Sequence, residues 1–203
     1  MDKSLTIILP TGRNESFTFK QINMKFDGDK KSNVFAHKNN KTLAETITHK
    51  RYSKFQTHVE NEYSKYLDLP LGIFLLELKD ASDYYYKSFL NKYGDLEYSK
   101  FWIEDVHFKK SRGVYAYYSG SNLTYIGRCL DALNKRINQG YGKIHPKNCF
   151  IDGQATNCRI NALVTHETEN VSLWFCKIDT CEHIKSVEQL LIRKYLPPWN
   201  IQK

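Results

Sequence analysis

The alternation of apolar and polar positions divides the chain into segments of different period. Residues 4–9 (SLTIIL) predict a strand closed by a Pro10-Thr11-Gly12 turn. Residues 16–20 (SFTFK) alternate polar and apolar side chains, as a hairpin partner would. Residues 27–31 and 37–41 are polar and read as loops. From Thr42 the period changes: Leu43, Ile47, Phe55, Val59, Tyr63 and Tyr66 recur at helical steps and predict one long amphipathic helix. Thr42 is its expected N-cap, with Glu45 as the reciprocal capping partner. The apolar run 72–78 (GIFLLEL) suits a buried strand, and residues 82–92 (SDYYYKSFLNK) a helix capped by Ser82.

The second half has a clearer rhythm. Residues 114–118 and 123–126 flank the turn Ser119-Gly120-Ser121-Asn122 and predict a hairpin. Residues 131–138 (DALNKRIN) read as a helix capped by Asp131 and broken at Gly140 and Gly142. Thr156 caps a helix over 157–165, and residues 171–178 (VSLWFCKI) form a third strand. Residues 182–195 are a last helix, with Ile184, Val187, Leu190, Leu191 and Tyr195 facing inward and Pro197-Pro198 ending it. A soft boundary at the basic stretch 109–112 (KKSR) divides an N-terminal recognition or assembly region, 1–110, from a second region, 111–203.

Composition narrows the partners. At 203 residues, 41% hydrophobic, the chain can bury a core without disulfides or metals. A net charge of +8 favours an anionic partner, most simply nucleic acid. Residues 111–203 carry a net +5 against +3 for residues 1–110, so the second region is the more cationic. No stretch approaches the ~18 apolar residues of a membrane span, and Met1 to Pro10 lacks the features of a signal peptide. Five Cys, an odd number, suit free thiols in a reducing compartment. The expectation is a cytoplasmic protein without a membrane partner. Cys176, Cys181 and His183, with the more distant Cys149 and Cys158, make a weak zinc pattern, since no CxxC pair exists.

Chemistry concentrates around the hairpin. Gly113-Val114-Tyr115 is followed after nine residues by Tyr125-Ile126-Gly127. Arg136 lies in the next predicted helix and Glu188 in the helix after the third strand. Asn200 stands twelve positions beyond Glu188, at the end of EQLLIRKYLPPWN. This order resembles the GIY-YIG nuclease superfamily over about residues 111–201, and the last run is similar to the corresponding segment of its bacterial excision-repair members. The resemblance implies an α+β fold, a three-stranded antiparallel sheet flanked by helices, with residues 1–110 as an N-terminal α/β extension or small domain.

It also implies a site in which Tyr115, Tyr125, Arg136, Glu188 and Asn200 act together, Glu188 holding one Mg²⁺, with Mn²⁺ as a substitute. The roles make chemical sense. A carboxylate can hold a hard cation that keeps most of its waters. A guanidinium grips phosphate oxygens, and a phenol beside cations can take or relay a proton from water. The family's Arg usually falls eight residues after the second motif's glycine, where this chain has Lys135, with Arg136 next. Arg136 is preferred for its bidentate fork, with Lys135 as the alternative. Arg128, directly after the second motif, and Lys143 and Lys147 of the loop 140–148 are expected DNA contacts, and His145 a further proton-transfer group. The resulting expectation is an endonuclease acting on double-stranded DNA, of the type II restriction class. Cutting both strands would need a homodimer on DNA or two binding events. The competing expectations are a homing or repair nicking nuclease, against which the short tail after Asn200 counts, and a decayed DNA-binding module.

Overall fold

The computed structural model describes residues 2–8 and 12–201; Pro10 and Thr11 of the expected first turn lie outside them. The chain is α+β and divides into two compact units, each discontinuous in sequence. One comprises residues 1–28, 100–143 and 166–203, the other residues 29–99 and 144–165. This division differs from a boundary near residue 110, because the first two strands join the same sheet as the later hairpin. The strands are β1 (Lys3–Ile8), β2 (Asn14–Ile22), β3 (Met24–Lys31), β4 (Tyr98–Ile103), β5 (Gly113–Ser119), β6 (Asn122–Cys129) and β7 (Val171–Lys177).

In the first unit, five strands make one antiparallel sheet in the order β1-β2-β7-β5-β6, where the sequence predicts three. The alternation in β1 and β2 explains the extension. Leu5, Ile7, Phe17 and Phe19 fall on one face and continue the apolar surface of Val114, Ala116, Ile126 and Trp174. The last helix, α5 below, covers that surface with Ile184, Val187 and Leu191, all fully buried. Burying each such side chain contributes about 1.5–3 kcal/mol. Tyr195, expected to face inward, is instead exposed, and its hydroxyl accepts from Thr6 N (3.1 Å) and donates to Thr6 O (3.2 Å).

β3 and β4 pair separately. Residues 27–31, read as a loop, belong to β3. Most of its positions are exposed, so it leaves no apolar alternation to detect, and ion pairs Lys25–Glu104 (2.6 Å) and Asp27–Lys100 (3.1 Å) help hold its first half.

The helices are α1 (Leu43–Ile47), α2 (Gln56–Glu62), α3 (Leu71–Asp80), α4 (Ala155–His166) and α5 (Cys181–Tyr195). The first three belong to the second unit. The Thr42–Glu45 capping box forms as expected, but the long helix does not. The Thr46 and Thr48 hydroxyls donate back to the carbonyls of Thr42 (2.8 Å) and Glu45 (2.9 Å), and such local bonds compete with helix propagation. The chain then continues through short 3₁₀ turns and α2. Residues 72–78, read as a strand, are the body of α3. Leu71, Phe74, Leu75 and Leu78 are buried at helical spacing, while the apolar residues between them disguise the period. Asp83 rather than Ser82 caps the next element, a 3₁₀ helix over Tyr84–Phe89.

Aromatic rings fill this second core, with Phe55 and Phe89 centroids 4.9 Å apart. Carboxylates receive the hydroxyls at its margins: Tyr52 donates to Asp152 (2.6 Å), Tyr63 to Asp83 (2.6 Å) and Tyr86 to Asp95 (2.7 Å). The Tyr63 hydroxyl, with the Tyr85 N–H, holds the Asp83 carboxyl below its ordinary pKa. A depressed folded pKa means stability that is present above the unfolded value of about 4 and is lost as pH falls through the folded one. Asp83→Asn should therefore lower the urea midpoint at neutral pH, with the gap from wild type closing in acid; a gap independent of pH would contradict the assignment.

Candidate active site

The register of β5 against β6 positions the two motif tyrosines. Tyr115 lies opposite Gly127 and Tyr117 opposite Tyr125, so Tyr115 and Tyr125 are diagonal neighbours on one face, ring centroids 6.1 Å apart. A Cβ at Gly127 would overlap the Tyr115 phenol. The glycine of the second motif is thus the space through which the first motif's tyrosine extends.

The third hydroxyl is Tyr141, from the segment 140–148 whose sequence reads as a loop. The Tyr141 hydroxyl lies 2.9 Å from that of Tyr115 and 3.4 Å from that of Tyr125, and so joins them. It arrives there on a π-helix, Lys135–Tyr141, closed by a bond from Gly142 N to Ile137 O. Such wide turns are rare and accommodate an extra residue. Gly140 does not break this helix, and Asp131 does not cap it. Leu133 N and Asn134 N donate instead to the carbonyls of Ser111 (3.0 Å) and Lys109 (2.9 Å). The far end is clamped to β4. Asn138 bonds both backbone groups of Ile103 (2.9 and 3.0 Å), and Phe101 N donates to Gly142 O (3.0 Å). A Cβ at Gly142 would overlap Phe101 O, so this glycine marks close packing rather than flexibility.

The π-helix separates the two candidate cations. Lys135 is exposed and paired with Asp131 (2.6 Å). Arg136 turns toward the phenols, its guanidinium carbon 5.8 Å from the centre of the Tyr141 ring. Arg136 is itself an exposed residue. Partial burial of its guanidinium works against the charge, and the titratable neighbours Tyr115, Tyr141, Tyr125 and Cys129 together more than offset this, so its pKa is raised.

Glu188 comes from α5, one residue beyond the buried Val187, and its side chain is only 13% exposed. Arg128 of β6 donates to its carboxylate. Burial raises the Glu188 pKa, opposed by Arg128 and then Arg136, and Glu188 in turn adds to the upward shift of Tyr125. The carboxylate is therefore within electrostatic reach of Arg136 and Tyr125. Tyr115 is fully enclosed, and burial drives its pKa well above the ordinary phenol value, Arg136 opposing only part of the effect. In this state Tyr115 is a proton-bearing hydroxyl, not a phenolate.

Asn200 does not touch the phenols. Its amide accepts from Ile126 N (2.9 Å) and donates to Ile126 O (2.8 Å), and Trp199 N donates to Thr124 O (2.8 Å). It holds the residue between Tyr125 and Gly127, which makes it a positioning residue. His145, expected as a proton-transfer group, lies in the second unit, where it caps the 3₁₀ turn Pro146–Cys149. Lys143 is exposed. All five Cys are free, and no group of three or more His, Cys, Asp or Glu able to hold a metal occurs among the described residues. No helix there is long and apolar enough to cross a membrane.

Tyr117, fully buried beside Tyr115 and Tyr125, carries a hydroxyl without a hydrogen-bond partner. Removing a buried, unsatisfied hydroxyl relieves its desolvation cost. Tyr117→Phe should stabilise the fold by about 1 kcal/mol in urea unfolding; destabilisation of similar size would reveal a partner for that hydroxyl.

No protein-family model matches the chain, and no curated protein or solved structure is significantly similar to it.

Proposed function

We propose that this chain is a divalent-cation-dependent endonuclease that hydrolyses phosphodiester bonds of double-stranded DNA, a nuclease of the GIY-YIG kind serving as a type II restriction enzyme. One observation carries the reading. Two phenols from neighbouring strands and a guanidinium meet on one face of the sheet, Tyr141 joining the phenols and Arg136 lying over Tyr141, with the shielded Glu188 carboxylate near enough to act electrostatically on Arg136 and Tyr125. Phosphodiester hydrolysis needs these groups: charge stabilisation on the phosphorane, an oriented water, and a carboxylate for a cation.

Glu188 is the carboxylate that would hold Mg²⁺ or Mn²⁺. A single shielded carboxylate suits such an ion once Arg128 exchanges away from it, because Mg²⁺ takes one or two carboxylates and keeps several waters. When bound, the cation would polarise a phosphoryl oxygen and lower the cost of a nearby phenolate. The remaining work falls to the chain. Arg136, permanently charged, binds the non-bridging oxygens as negative charge builds on them. Tyr125, the one partly exposed phenol of the three, hydrogen-bonds a phosphate oxygen or the attacking water, and the enclosed Tyr115 and Tyr141 hold it in place through the hydroxyl chain. Arg128, once exchanged from Glu188, offers a second guanidinium to the phosphate, and Lys143 adds an exposed charge. Asn200 keeps Tyr125 in register.

Incubation with phage DNA and Mg²⁺, followed by sequencing of the ends, tests the reading directly. Discrete fragments are expected; a smear would indicate nonspecific cutting, and intact DNA would refute the nuclease reading. Glu188→Gln should abolish cleavage while leaving duplex binding within a few-fold. Arg136→Ala should lower the single-turnover rate about 10³-fold, the magnitude of losing a charged transition-state contact. Lys135→Ala should cut at nearly the wild-type rate, and a reversal of these two results would assign the phosphate contact to Lys135.

A further inference from the structure

The second unit contains a cavity of about 510 Å³ that the chemistry above leaves unused. Its volume is that of a small-molecule or nucleotide-sized site. The lining comes from three places in the chain: the loop 37–41, the end of α1 with Tyr52, and the turn 145–147 with Asp152. Three lysines meet there, Lys38, Lys41 and Lys147, with one carboxylate, Asp152. That carboxylate already receives the Tyr52 hydroxyl at 2.6 Å.

None of the three lysines forms an ion pair among the described residues. Lys38 is half-buried, its ammonium 4.6 Å from the centre of the Phe150 ring. Burial lowers its pKa; Asp152 opposes this, and Lys41 and Lys147 add to it. The fold thus holds like charges together at a concave surface, an arrangement that a bound anion would relieve.

Two histidines at the same cavity are set as donors. His145 Nδ1 accepts from Lys147 N (3.3 Å) and His49 Nδ1 from Arg51 N (3.4 Å). In the neutral ring this puts the proton on Nε2, so each imidazole retains an N–H for an acceptor oxygen. Steric constraint keeps the turn compact: a Cβ at Gly153 would overlap Lys147 O, which holds Asp152 and Lys147 in one tight loop.

We propose that this cavity binds phosphate groups of a nucleic-acid strand, with Lys38, Lys41 and Lys147 as the charge-bearing contacts and His49 and His145 as hydrogen-bond donors. The partner class is that of the function proposed above, on which the inference rests; the residues are separate from the tyrosine site. Contacts of this kind add affinity without reading sequence.

The test is fluorescence anisotropy with a short labelled duplex across a salt series, without divalent cation so that no cutting occurs. Each lysine that neutralises a phosphate contributes about 0.9 to the slope of log K against log salt. The triple variant Lys38→Gln/Lys41→Gln/Lys147→Gln should bind more weakly on every sequence, with a slope shallower by about 2 to 3. The triple Lys→Arg variant should keep the wild-type slope. An unchanged slope in the Gln variant, with an unchanged thermal midpoint, overturns the proposal. A second arm measures thermal shift with inorganic phosphate and with a deoxynucleoside monophosphate. Stabilisation of the wild type that the Gln variant loses, without any change in duplex binding, overturns the strand as the source and assigns a free phosphate ligand. Cleavage is scored separately. DNA cutting with an unchanged slope sinks this site alone, and a shallower slope in a protein that never cuts sinks the nuclease reading alone.

Discussion

The close fit of one phenol across one glycine organises the first unit. Tyr115 can lie flat over β6 only because Gly127 presents no side chain there, and the antiparallel register then brings Tyr125 alongside on the same face. Everything else in the site is arranged around that pair. The π-helix delivers Tyr141 to both hydroxyls and Arg136 to the ring. On the other face of the sheet, α5 is anchored by three buried aliphatic side chains, and its next position holds the carboxylate at the margin of that core. A change in strand register by one residue would send Tyr125 to the opposite face and dissolve the cluster.

The same arrangement opposes stability. Tyr115, Tyr117 and Glu188 are titratable or polar groups in surroundings that favour their neutral forms, and the Tyr117 hydroxyl has no hydrogen-bond partner. Proteins tolerate such groups where chemistry requires them and compensate elsewhere. Here the compensation lies in the large aliphatic contact between α5 and the sheet and in a set of backbone clasps. Two of these are asparagines of the first unit, Asn138 on Ile103 and Asn200 on Ile126; in the second unit Asn161 bonds both backbone groups of Ser99 in the same way. A primary amide carries one donor face and one acceptor, so it replaces the neighbouring peptide that an edge strand lacks.

The sequence was legible where period and punctuation agree. The hairpin, the third strand, the last helix and the Thr42–Glu45 capping box all follow from short-range pattern. It was misleading where several physical causes give the same pattern. An unbroken apolar run fits a strand or a buried helix, and only the packing of Leu71, Phe74, Leu75 and Leu78 distinguishes α3. Threonine hydroxyls broke a helix that the apolar spacing extended. In the candidate site, Tyr115, Tyr125, Arg136 and Glu188 could be named from motif order. Tyr141 could not, because a Gly-Tyr-Gly tripeptide looks like a flexible loop unless the neighbouring backbone is known. Its one available signal was the pair of glycines, which mark tight approach as readily as freedom. Asn200 was legible as a residue but not in its role, since a clasp on the backbone of a distant strand has no local signature.

The clasp by Asn200 also bears on how copies of the chain can meet. β6 ends the five-stranded order, and a terminal strand with open amide and carbonyl groups is a template on which another chain can add its own strand. Residues 199 and 200 already occupy the outward groups of Thr124 and Ile126. Continuation of the sheet into a second molecule along this border is thereby blocked. Tyr195 does the same at the other end of the order, where its hydroxyl bonds both backbone groups of Thr6 on β1, so each border of the sheet carries a clasp against strand addition.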